Sequence, residues 1–360
     1  MTKETISPRQ LVALAFVGLL SPLVRRFPQT LAAAVGRAGW LAIPLSLPPL
    51  LLWLAGWRAL LRRQRDWFQL LTDALGRVPG RAAAALFALW MAAYAGFLLR
   101  ANAVRQLSTV YPEAGPGIFV LSMALVCCLA AAGPLRGIVR AAMVLRPLML
   151  TVIALVLALS AEHVDPGLLL PVAREDLAPA ALAGLRLANS FGAMFLLAFL
   201  CGQAEGLPSR RQLAGWGGAL YAVGAAATVC CIGMFGPELT GRMSYPFFML
   251  ARDVTVLGSV ERVEPIVVAV SVLSDFVLAS ILLWMAVRLS LRLLGRTAGD
   301  WAFLPALVCG ALAATAALLL PGDLETWNYL SETLVPVLSA VFTAGLPLLT
   351  LCVGKLRRRL

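Results

Sequence analysis

The sequence predicts an all-α polytopic membrane protein. It has ten transmembrane helices in a five-plus-five inverted repeat, with helices one and six broken. Three observations lead there. The 360 residues are 61% hydrophobic and only 13% charged, about half the charged fraction of a soluble domain, and the mean hydropathy is +0.87. Ten apolar runs follow one another at roughly 10–24, 38–60, 82–107, 117–132, 138–160, 184–201, 213–236, 263–287, 301–320 and 334–353. The first and sixth of these are interrupted before they can cross a bilayer.

The first run is apolar from Leu11 to Leu20 and then meets Ser21, Pro22, Arg25, Arg26 and Pro28. A spanning helix needs about 20 apolar residues, and proline removes a backbone donor and crowds the turn before it. A break is therefore expected from Leu20 to Leu23. Irregular backbone at that depth is tolerated only inside protein or beside a water-filled cavity, which makes Leu20, Ser21 and Pro22 candidate ligand-binding residues. No small-residue cleavage site follows, so the segment is expected to stay in the protein. The link from Arg58 to Arg81 sets Trp67, Phe68, Leu70, Leu71 and Leu75 among arginines. That pattern predicts a short amphipathic helix at the inner headgroup level, with membrane lipid as its partner.

The third run carries Trp90 and Tyr94 four residues apart, hence on one helical face. Arg100 and Asn102 near its end read as interface anchors. The sixth run is punctuated by Asn189, Ser190, Gly192, Gly202, Gln203 and Glu205, so it too is expected to be interrupted. Phe195 and Phe199 share a face of it. Paired interruptions in the first helix of each half point to a transporter-type site near the midplane. An odd number of spans per half inverts the second copy. The repeats run about 9–160 and 184–353, within one membrane domain covering 1–360, and a tail follows over 354–360.

In the eighth run Ser274 and Leu278 share a face, and Asp275 is the one acid well inside a span. A mid-membrane carboxylate costs about 2.5–3.5 kcal/mol on insertion scales, so Asp275 should face the bundle or water. It is a candidate ion or ammonium partner. Glu261, Arg262 and Glu264 open that run; carboxylates suit a helix N-terminus, and the group is also a candidate gate or partner contact. With both termini placed in the cytoplasm, the inner ends and loops hold about two thirds of the 30 Lys and Arg residues, as the positive-inside rule asks. The formal charge of +12 is thereby assigned to the membrane, and no detached basic domain exists to bind nucleic acid.

The seven cysteines all fall within apolar runs, without CxxC spacing, and read as buried thiols rather than metal or disulfide sites. His163, the single histidine, lies among loop acids and lacks the partners of a catalytic triad. No phosphate-binding loop, dinucleotide fingerprint or zinc-protease motif occurs. The expectation is a protein without enzymatic activity, metal or cofactor.

Several stretches are familiar as an ordered set. Ile6-Ser-Pro-Arg-Gln-Leu11 with Pro28, then Leu99-Arg-Ala-Asn102, Tyr111-Pro112 and Gly133-Pro-Leu-Arg-Gly-Ile-Val-Arg140, resemble landmarks of the spore germination receptor B-subunit family. So do Tyr245-Pro-Phe-Phe-Met-Leu-Ala-Arg252 and Val260-Glu-Arg-Val-Glu-Pro-Ile266. The resemblance covers essentially the whole chain. It implies membership in the amino acid, polyamine and organocation transporter superfamily and a LeuT-type fold, in which spans one, three, six and eight surround the ligand. It further implies a subunit in the spore inner membrane, with its termini on the core side, that senses a small-molecule germinant beside A and C subunits. The chain departs from its relatives at the first-helix break, where small residues, often glycines, give way to Leu20-Ser-Pro-Leu23. Three readings follow: a germinant sensor that binds a small molecule, such as an amino acid, in a midplane pocket; a secondary amino acid transporter; and a membrane scaffold that binds no ligand.

Overall fold

The computed structural model describes residues 6–51, 67–109, 111, 113–190, 199–206, 208–253, 264–296, 302–320 and 324–356. These form a bundle of helices centred on the first and eighth spans. Helix α1 (Pro8–Val35) begins at a capping box. The Ser7 hydroxyl accepts from the Gln10 N–H at 3.3 Å, and the Gln10 side chain accepts from the Ser7 N–H at 2.8 Å. Pro8 sits in the first turn, where its missing N–H would have had no helical partner.

The break expected at Leu20 to Leu23 is absent from α1. The helix continues through Pro22 and Pro28 for 28 residues, about 42 Å of rise. The reason lies in what surrounds it. Pro22 deprives the Gly18 carbonyl of its helical donor, but Gly18 is buried against neighbouring helices; the Val17 carbonyl beside it keeps its helical donor and also accepts from the Ser274 hydroxyl at 2.6 Å. The freed carbonyl thus lies inside protein rather than in lipid, where irregular backbone is tolerated. Arg25 and Arg26, which end the apolar run in the sequence, are paired inside the bundle and do not end the helix. Gly36, at φ +69°, does.

A 3₁₀ turn (Gly36–Leu41) and the short helix α2 (Ala42–Leu45) follow. Helix α3 (Trp67–Leu75) occupies the expected amphipathic stretch. Its apolar face, Trp67, Leu70, Leu71 and Ala74, is buried against α4 (Arg77–Thr109) and the end of the final span. The face therefore packs on protein rather than on lipid. Next come α5 (Pro116–Ala132), α6 (Leu135–Ser160), α7 (Leu177–Ser190), α8 (Arg210–Phe235), and the short helices α9 (Pro237–Arg242) and α10 (Pro246–Asp253). Helix α11 (Glu264–Leu293) packs against α1, α4, α5 and α6 and is buried along most of its length. Helix α12 (Phe303–Leu319) follows. The final span is assembled from α13 (Leu324–Tyr329), α14 (Val335–Ala340) and α15 (Leu346–Leu356), separated by π-helical turns at Leu330–Leu334 and Val341–Gly345.

Among the described residues six helical stretches are long and apolar enough to cross a membrane: Pro8–Leu51, Arg77–Ser108, Leu135–His163, Arg211–Phe235, Glu264–Leu293 and Val335–Gly354. Helices α5 and α12 are apolar but shorter, at 17 residues each. Both turn leucines such as Leu125 and Leu307 outward, the arrangement of a protein integral to a membrane. The second apolar run lies partly on 52–66 and the middle of the sixth, with Gly192, on 191–198, both outside the described residues; Asn189 and Ser190 lie in α7, and Gly202 and Gln203 in a 3₁₀ turn (Leu200–Gln203).

Two close approaches set helix positions near the site. A Cβ on Gly96 would lie 2.5 Å from the Ala313 carbonyl oxygen, so α4 and α12 meet backbone to backbone there. A Cβ on Gly18 would lie 3.2 Å from Leu278 Cδ1, which sets α1 close against α11. At the other end of α1, Ile6 makes a parallel bridge to Ala204. Its N–H donates to Gln203 O at 2.9 Å and its carbonyl accepts from the Glu205 N–H at 3.0 Å. The start of the first span is thus tied to the end of the sixth run.

Candidate functional site

Helical spacing alone prepares a polar seam. On α1, Ser21 and Arg25 are four residues apart and share a face; on α11, Ser271, Ser274, Asp275 and Leu278 do the same; on α4, Asn102 and Arg105 are three apart. The bundle turns these faces toward one another. Arg105 donates to Asp275 Oδ2 at 2.7 Å, Arg25 donates to the same oxygen at 3.2 Å, and the Ser21 hydroxyl donates to Oδ1 at 3.3 Å. Each of these four side chains is at most 5% exposed. Asn102 borders the carboxylate. Arg105 also lies over the Phe248 ring on α10, 5.8 Å from its centroid.

Charges this deep have left water at a penalty of several kcal/mol each, and removing one partner of such a group costs about 3–5 kcal/mol. The cluster is therefore a fastening between α1, α4 and α11 that does not loosen gradually. The neighbouring Arg26 points away from it and donates to the Ser331 hydroxyl at 2.9 Å and the Ser331 carbonyl at 3.2 Å, in the first π turn of the final span. Beside Arg25 lies a cavity of ≈ 20 Å³ between α1, α6, α10 and α11. That is room for about one water. Ser21, Arg25 and Ser271 are its polar lining, and Val24, Ile153, Phe248 and Val270 are among its apolar walls.

The residues singled out in the sequence fall into two groups. Ser21, Ser274, Leu278 and Asp275 meet along the α1–α11 seam; Leu20 is wholly buried, and Pro22 is half-buried within the continuous helix. Trp90, Tyr94 and Phe199 belong to a row of aromatic rings. Trp90 stacks on Tyr94 at 5.5 Å and on Phe342 of the second π turn at 5.0 Å, and Phe87 stacks on Phe199 at 6.4 Å. The row runs on through Phe97 to Trp327 at 5.1 Å. Tyr94 and Arg105 lie three turns apart on one face of α4, about 16 Å, and Tyr94 is within electrostatic reach of Arg25, Arg26 and Asp275. Phe195, Glu261 and Arg262 lie outside the described residues. Glu264 opens α11 and is nearly buried.

Asp275 faces the bundle, and both of its oxygens accept from protein donors. Arg100 and Asn102 are not interface anchors, being 8% and 1% exposed inside the bundle. Arg25 and Arg105, which hold the carboxylate, were not among the expected site residues. A usable signal existed, because a lone mid-span acid demands a buried base, and Arg25 follows Ser21 by one helical turn.

Against known proteins, a family model described as spore germination protein matches residues 5–315. Among solved structures, the chain is similar to one described as the crystal structure of MhsT in complex with L-phenylalanine. The TM-score is 0.61 and the identity 15%, over 96% of this chain and 89% of that one. At that identity the likeness speaks for the fold, a multi-spanning helical bundle of the LeuT type. No curated protein matches.

Proposed function

The chain belongs to the spore germination protein family, and from that premise we propose that it is the nutrient-sensing membrane subunit of a germination receptor. It binds a small germinant, an amino acid, beside the α1–α11 seam and passes the resulting change to A and C subunits. Its place is the spore inner membrane, with both termini on the core side. The observation that carries this reading is the buried Arg25–Asp275–Arg105 cluster. A sensor needs two discrete packings and a ligand with unequal affinity for them. Moving such an equilibrium from 1:99 to 99:1 takes about 5.5 kcal/mol, and a buried ion fastening of about 3–5 kcal/mol is of that order.

Transport of an amino acid is the second reading, favoured by the likeness in fold to a protein solved with L-phenylalanine. A labelled amino acid panel, given to the purified chain in sealed proteoliposomes with and without a cation gradient, separates the readings. Saturable binding without accumulation is the expected result for a sensor. Gradient-driven accumulation makes the protein a transporter, and neither binding nor uptake leaves a scaffold.

A further inference from the structure

We propose that Arg25 is the receptor for a ligand carboxylate, and that the ligand enters the cavity between α1, α6, α10 and α11 by drawing Arg25 away from Asp275. This rests on the ligand-binding reading above and adds to it the side chain that receives the ligand's carboxylate and the ion pair given up in exchange. Two distances carry it. Arg105 holds Asp275 at 2.7 Å, within the range of a charge-assisted bond, whereas Arg25 reaches the same oxygen at 3.2 Å. The Arg25 bond is the weaker of the two, and it is the one that exchanges.

Its release strands neither charge. Breaking a buried ion pair is expensive because a charge is left without a partner; here Asp275 keeps Arg105 while Arg25 gains the ligand. The cavity lies where that exchange needs it. Among its described lining residues Arg25 is the one that carries charge, and the walls are mostly aliphatic and aromatic. A carboxylate suits the guanidinium and a hydrocarbon body suits Val24, Ile153, Phe248 and Val270, while an amine alone meets a like charge. At ≈ 20 Å³ the cavity admits little more than a water-sized group, so the body enters as α6 and α10 part from α1. The event that seats the ligand thereby undoes one tie between α1 and α11, which couples binding to helix movement.

The test uses three matched probes on the full chain in lipid nanodiscs: L-leucine, isocaproate, which lacks the ammonium, and isoamylamine, which lacks the carboxylate. Leucine and isocaproate are expected to bind and isoamylamine not. Arg25→Gln should weaken both carboxylates by about 10- to 100-fold, the loss of a charged hydrogen bond. Asp275→Asn removes the competitor for Arg25 and should tighten both. If Asp275→Asn instead weakens leucine and leaves isocaproate unchanged, Asp275 is an ammonium partner and the proposal fails. Binding indifferent to Arg25→Gln also overturns it, with the ligand-binding reading intact; no saturable binding of any probe by the wild type overturns both. Should Asp275→Asn not fold, Ser271→Cys decides: isocaproate is expected to protect that thiol from a methanethiosulfonate reagent, and an unprotected thiol sinks the proposal.

Discussion

Helix α4 takes part in two different sites along its length, and they are held by different physics. Near its C-terminal end Arg105 joins Arg25 and Asp275 in a cluster of ions with fixed partners. Nearer its middle, Phe87, Trp90, Tyr94 and Phe97 pack on Phe199, Phe342 and Trp327. Within a membrane, lipid is as apolar as any side chain, so the aromatic row gains shape complementarity and dispersion but little hydrophobic drive. The ion cluster has no neutral fallback, because each charge needs its partner. The row can therefore adjust by degrees, whereas the cluster is either made or exchanged.

Mutations can break or sharpen this contrast. The largest effect is expected from Asp275→Leu, which leaves the Arg25 and Arg105 guanidiniums buried without their shared carboxylate; a loss of about 3–5 kcal/mol should appear as a lower unfolding temperature in detergent. A loss near zero would mean that the two guanidiniums find other partners at little cost. Trp90→Ala comes next. It opens a gap against Tyr94 and Phe342, and the expected loss is about 1–3 kcal/mol, below the usual figure for a soluble core because the reference state is lipid. Thermal scans should rank it under Asp275→Leu, and the reverse order would undo the comparison. Ser274→Ala, which leaves the Val17 carbonyl to its helical donor alone, should cost only about 0.6 kcal/mol. A much larger loss, or a shift of α1 seen by cross-linking, would show that this single hydroxyl keeps the helix straight past Pro22.

The aromatic partners were legible in the sequence because Trp90 and Tyr94 sit one helical turn apart and need only α4 to meet. The Asp275 partners were not, since Arg25 and Arg105 are 250 and 170 residues away along the chain. Local rules misjudged α1 for a related reason. Pro22 and two arginines end a helix that faces lipid, but here Asp275 and Ser331 pair the arginines and the stretch around Pro22 is buried in protein. Nor does composition foretell the two π turns of the final span, whose Ser331 and Phe342 reach Arg26 and Trp90. Such turns recur at functional sites.

What the sequence determined by itself was the solvent of this protein, its helical class and the family to which it belongs. Apolar runs of membrane length admit only helices whose backbone bonds close within each segment, and that requirement is local. Which charges meet, whether α1 breaks, and which face of α4 meets the final span were decided by tertiary structure alone. These depend on donors brought from other helices, and in a bilayer no water is present to substitute for them.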